Sequence, residues 1–128
     1  MVKQYLTSLV AFMLIDGLWL GYVAPTFYRN HIGHLMKPNP DMMAAGLFYL
    51  LFLIGLNVFV ISPQNTASLS TVSLYGALFG LITYATFDLT SAAVFKDFPY
   101  IVVAVDMLWG SFLCAAISLV TVWVNRSF

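Results

Sequence analysis

Apolar residues along this chain fall into four long runs separated by short polar interruptions. The runs cover residues 5–24, 43–62, 69–94 and 99–124. Each supplies the roughly 20 residues, at about 1.5 Å rise apiece, that a helix needs to cross a bilayer. Pro25 and then Pro38-Asn39-Pro40 bracket the first connection, and Ser62-Pro63-Gln64-Asn65 breaks the chain after the second run. Lys96-Asp97-Phe98-Pro99 separates the third run from the fourth, and Pro99 suits a first helical turn, where its missing N–H is not needed. Backbone groups facing lipid find no water to bond, so helix is the state these runs must take. The expected fold is all-α: an integral membrane four-helix bundle, up-down-up-down, with both termini on one side (side A). The first and third connections lie on the other (side B), and residues 1–128 form a single transmembrane domain.

Composition reinforces the pattern. Of 128 residues, 62% are hydrophobic and 8% charged, with a mean hydropathy of +0.94; a soluble domain carries about 25% charged residues. Such a chain cannot cover a water-facing surface, so the expected partner is the lipid bilayer. Net charge is zero and no Lys or Arg run occurs, which argues against nucleic acid. Cys114 is the single cysteine and permits no internal disulfide. Met1-Val2-Lys3 followed by an apolar run has the outline of a signal peptide. Asp16 and Trp19 interrupt that run, however, and Tyr22-Val23-Ala24-Pro25 is a poor cleavage site. It reads as the first span. Side B holds Arg29, Lys37 and Lys96 and side A holds Lys3 and Arg126, a balance too even to orient the protein.

All five acidic residues are Asp, and three fall within spans: Asp16, Asp88 and Asp106. A charged Asp in mid-membrane costs about 2.5–3.5 kcal/mol on insertion scales, so all three should face the bundle interior. At helical rise their depths from side B are about 9–12 Å, and Tyr49 on the second span lies at about 9 Å. Four spans thus place polar groups in one layer. Tyr5, Ser8, Phe12 and Asp16 share a stripe with Trp19 a turn beyond, and Gly76, Gly80, Tyr84 and Asp88 follow strict i, i+4 spacing. Asp106, Gly110, Cys114 and Ser118 repeat that spacing, with Trp109 beside them. The expected site is a proton- or ion-binding cluster of Asp16, Asp88 and Asp106, walled by Trp19, Tyr49, Tyr84 and Trp109. Each Asp could instead accept hydrogen bonds from a neighbouring helix and only fasten the bundle. His31 and His34 in the first connection are the weak candidates for metal ligands, and no cofactor fingerprint is present. Asn57 is expected to bond a neighbouring helix.

The small-residue stripes let helix backbones approach closely. They offer either contacts inside the bundle or a homodimer face through Gly76 and Gly80, or through Gly110 and Cys114.

Several strings taken together resemble a known family. They are Asp16-Gly-Leu-Trp19-Leu-Gly, Phe27-Tyr28-Arg29, Gly76-Ala-Leu-Phe-Gly80-Leu, Tyr84-Ala-Thr-Phe-Asp88-Leu-Thr90 and Asp106-Met-Leu-Trp109-Gly110. The family is that of small bacterial inner-membrane proteins catalogued as domain of unknown function 2177, and the resemblance covers essentially the whole chain. It implies a four-span protein of the bacterial inner membrane and brings no activity with it. The pattern is departed from at Ser91, where the resemblance implies Asn.

Three functions fit these residues. The first is a proton- or cation-linked small-molecule carrier or binding protein using the three aspartates. The second is a structural or accessory membrane subunit. The third is a lipid-acting membrane enzyme with an Asp as general acid or base, against which stands the absence of a nucleophile–base pair or a histidine-rich metal box.

Overall fold

The computed structural model describes residues 2–128 and is 84% helical, with no strand among the described residues. Helix α1 runs Val2–Tyr22, α2 Ala24–Ile32, α3 Met42–Leu56, α4 Leu69–Val94 and α5 Tyr100–Ser127. A 3₁₀ turn over Gly33–Leu35 follows α2, and α3 continues as a π-helical turn over Asn57–Ile61. Four of these units are long and apolar enough to cross a membrane: α1, α3 with its π turn, α4 and α5. Leu14, Leu50, Ile82 and Phe112 stand exposed around the outside, where lipid is the solvent that accepts them. This is an all-α membrane helical bundle.

Helix starts follow local chemistry. Asp41 Oδ1 accepts from the backbone N–H of Met43 and Ala44, both at 3.1 Å, and Ser68 Oγ accepts from Thr71 N at 3.2 Å. Each satisfies backbone donors that a helix N-terminus leaves free. Pro25 does not stop the chain. It occupies the first turn of α2, and hydrogen bonds from Val23 N to Trp19 O (2.9 Å) and from Phe27 N to Val23 O (3.0 Å) carry the chain through the bend. The first connection therefore contains a helix. Its apolar face, Phe27, Tyr28 and Ile32, packs on Phe98 just before α5 and on Val102 and Val103 at the start of that helix.

The tightest pairing is α4 with α5, antiparallel and in register at four-residue steps. A Cβ placed on Gly76 would lie 2.8 Å from the Cys114 carbonyl oxygen and 2.9 Å from Ser118 Oγ. One on Gly80 would overlap the Gly110 carbonyl, and one on Gly110 would overlap the Tyr84 ring. Ser111 Oγ donates to the Ala77 carbonyl at 3.0 Å across the same seam. Thus the two small-residue stripes pack against each other inside one chain.

Side A is closed by an amide cluster. Gln4 Nε2 donates to Asn57 Oδ1 and Ser62 Oγ, both at 2.9 Å, while Asn57 Nδ2 donates to Ser8 Oγ (3.0 Å) and to the Leu53 carbonyl (2.8 Å). Asn125 Nδ2 on α5 donates to Gln4 Oε1 at 3.3 Å. The bond from Asn57 Nδ2 to Leu53 O lies where α3 gives way to its π turn. Asn57 bonds α1, as expected.

Substituting Gly80→Ala should lower stability in detergent micelles by about 1–3 kcal/mol through overpacking. Gly46→Ala, where a Cβ meets nothing within 4 Å, should leave it unchanged or raise it by up to about 1 kcal/mol through helix propensity. Thermal unfolding followed by circular dichroism measures both.

Candidate functional site

Toward side B the bundle opens into a cavity of about 350 Å³. Asp16 enters it from α1. Its Oδ1 accepts from Trp109 Nε1 on α5 at 3.2 Å and its Oδ2 from the Tyr49 hydroxyl on α3 at 3.3 Å. Trp19, a turn further along α1, stacks on Trp109 with ring centroids 4.4 Å apart and planes within 11°. Trp19 Nε1 donates to the Tyr28 hydroxyl at 3.3 Å, and that hydroxyl donates in turn to Asp106 Oδ1. Burial and the neighbouring Asp106 carboxylate push the Tyr28 phenol well above its ordinary range, so it remains an O–H donor. Tyr84 lies across the Gly110 backbone, which only a glycine leaves room for.

The cavity wall includes Asp16, Asp106, Trp19, Tyr49, Tyr84 and Trp109, with Tyr28, Phe48 and Phe87 completing the aromatic surface. No Lys, Arg or His lines it. Asp88 does not line it either. It sits fully enclosed on α4, and neither of its oxygens meets a hydrogen-bond donor among the described residues. Its polar neighbour is the carboxyl of Asp106. Two carboxyls in that position attract each other when one carries a proton and repel when both are ionised. The three aspartates therefore make a graded set: Asp16 held by two neutral donors, Asp106 by one, and Asp88 by the carboxyl beside it.

The histidines stand elsewhere. His31 Nδ1 pairs with the Phe27 carbonyl of its own helix at 2.7 Å, and His34 lines an adjoining groove with Arg29 and Lys37. Neither is brought to the aspartates, and the described residues contain no group of three or more His, Cys, Asp or Glu placed to hold a metal ion.

Tyr28 is the site residue that reading the spans misses. Its signal lay in the apolar spacing Phe27, Tyr28, Ile32 beside Arg29 and Asn30, which marks a short amphipathic helix inside the connection.

Four spans, lipid-facing apolar side chains and an interior layer of carboxyls and aromatics define a multi-pass integral membrane protein. The chain belongs to the family described as predicted membrane protein DUF2177, whose pattern matches residues 1–123. No curated protein and no solved structure matches it.

Replacing Tyr28 with Phe should lower thermal stability by about 0.5–3 kcal/mol, the span from a neutral to a charge-assisted hydrogen bond. Calorimetric or spectroscopic unfolding of Tyr28→Phe checks this. The parallel indoles should give an exciton couplet in circular dichroism that Trp19→Phe and Trp109→Phe each abolish and Trp123→Phe leaves intact.

Proposed function

We propose that this protein is a proton- or cation-linked carrier or binding protein of the bacterial inner membrane, with Asp16, Asp88 and Asp106 as its ion-holding groups. One observation carries the reading: carboxyls from three helices share one interior layer, no Lys, Arg or His among the described residues lines the cavity of Asp16 and Asp106, and enclosed Asp88 meets no N–H or hydroxyl donor there, only the Asp106 carboxyl. Buried carboxylates are ordinarily paired with a cation or hold a proton. Among the described residues the cavity wall supplies no cation. Binding a proton or an incoming cation is what such a layer does chemically.

A second reading draws on Asp16 alone. Its two oxygens join α1 to α3 and α5, which is what a fastener in a structural or accessory subunit would do. Asp88, lacking any such donor, favours the first reading.

Proteoliposomes with an entrapped pH dye and an imposed pH gradient separate the two. Alkali cations and permanently charged organic cations are added in turn. At least one should evoke proton movement above that of empty liposomes, and Asp88→Asn and Asp106→Asn should lose it while remaining folded. Asn matches the shape of a protonated Asp, so Asp88→Asn should be no less stable than wild type at neutral pH. Absence of movement with every cation would sink the reading, as would full movement in both Asn variants. Intact movement accompanied by lost stability would favour the fastener.

A further inference from the structure

We propose that the cavity beside the Trp19–Trp109 stack binds a lipophilic organic monocation, an ammonium or phosphonium whose charge is met by Asp16 and Asp106, and that its entry displaces a proton from the acid pair behind it. This names the ligand class for the same site and rests on the carboxyl reading above.

Size, lining and access each point the same way. The cavity, about 350 Å³, falls in the range of roughly 300–1,000 Å³ typical of small-molecule sites. Seven of its eleven lining residues are aromatic and two are acidic. Aromatic faces attract a cation within about 6 Å of the ring centre, most strongly when water is excluded. A bare alkali or divalent ion needs a shell of several oxygens, and this wall offers mostly carbon. An organic cation needs only charge compensation and apolar contact. The cavity supplies both.

Access comes from the lipid. A second pocket of about 340 Å³ adjoins the first, sharing Phe48, Tyr84, Phe87 and Asp106. It lies between α3 and α4, where Met43, Leu47, Leu50 and Leu51 on the first half of α3 are exposed. The route from the side B surface is disfavoured for a cation. There Arg29, His34 and Lys37 line a groove of about 1010 Å³ that meets the cavity at Leu20 and Tyr28. Positive charge at that mouth repels an incoming cation, whereas the lateral opening carries none.

The exchange balances in charge. The groups facing Asp106 are Tyr28 from α2, Asp88 and Tyr84 from α4, and Asp16 from α1 with its partners Tyr49 on α3 and Trp109 on α5. Cys114 lies on the same helix near Asp16. When a monocation enters, an O–H bond in the Asp88–Asp106 pair breaks, the proton leaves to water, and the cation takes its place as the compensating charge. Lowering the pH reverses the exchange.

Tetraphenylphosphonium is a suitable probe, with neutral triphenylphosphine oxide and anionic tetraphenylborate as shape controls. Purified protein in nanodiscs is titrated by calorimetry in two buffers of different ionisation enthalpy, which counts protons, and by tryptophan fluorescence. The expected result is saturable binding of the cation with release of close to one proton. Apparent affinity should weaken about tenfold for each pH unit of acidification while one proton is exchanged. Asp106→Asn and Asp16→Asn should each weaken binding by at least about tenfold. Because an Asn variant could perturb folding, Trp19→Phe provides an independent measure: binding weakened several-fold, with the proton count unchanged. Equal binding of the phosphine oxide, or preferential binding of tetraphenylborate, overturns the proposal. So does phosphonium binding that ignores both pH and Asp106→Asn. Should alkali cations drive proton movement while no organic cation binds, this ligand class fails and the carboxyl reading stands. Phosphonium binding without proton release would instead retain the organic-cation site and remove the proton linkage.

Discussion

The close approach of α4 and α5 governs everything on side B. Their backbones meet at Gly76, Gly80 and Gly110, where a single methyl group on any of the three would collide with backbone, hydroxyl or ring atoms across the seam. Lipid tails offer helices no hydrophobic incentive to associate, so this packing has to come from shape. Antiparallel register then does the rest. Stepping four residues at a time from Gly76 leads through Gly80 and Tyr84 to Asp88, while stepping back from Ser118 leads through Cys114 and Gly110 to Asp106. The ladder that brings the helices together ends by setting two carboxyls side by side.

The two ends of the bundle handle polarity in opposite ways. On side A, Gln4, Ser8, Asn57, Ser62 and Asn125 form a closed set of neutral donors and acceptors, an arrangement that holds helices and asks for nothing more. On side B the donors are too few for the acceptors. Trp109, Tyr49 and Tyr28 supply three hydrogen bonds to Asp16 and Asp106, and Asp88 is left with a carboxyl for company. Orphaned hydroxyls such as those of Ser118 and Thr121 cost about 1–3 kcal/mol each. An orphaned carboxyl is of another order, since its ionised form can barely exist without a counter-charge. Where the protein fails to satisfy itself, it has reason to bind something.

The fold class was legible because the bilayer imposes one rule on long apolar runs, and the prolines and polar turns mark where each run ends. Helical spacing also put Asp16, Asp88 and Asp106 on interior stripes, because strict i, i+4 repeats with glycine leave little choice of facing surface. Two features escaped. Prolines at 25, 38 and 40 make the first connection look irregular, yet Pro25 sits where a helix tolerates it, so α2 forms and delivers Tyr28 to Asp106. Spacing along single helices likewise could not separate the cavity-lining Asp106 from the enclosed Asp88. That distinction depends on how far α4 is rotated against α5 and α2, which is a property of the packed bundle.

The depth of the carboxyl layer carries an electrical consequence. At about 9–12 Å from one surface of a hydrocarbon slab about 30 Å thick, these groups lie roughly a third of the way across. A unit charge crossing the full membrane potential exchanges about 2.3 kcal/mol per 100 mV, so one that reaches this layer from the nearer surface samples only about a third of it. Charge arriving from the opposite surface would sample the remaining two thirds. The depth of these side chains thus sets what share of a cell's resting voltage a charge held on them would feel.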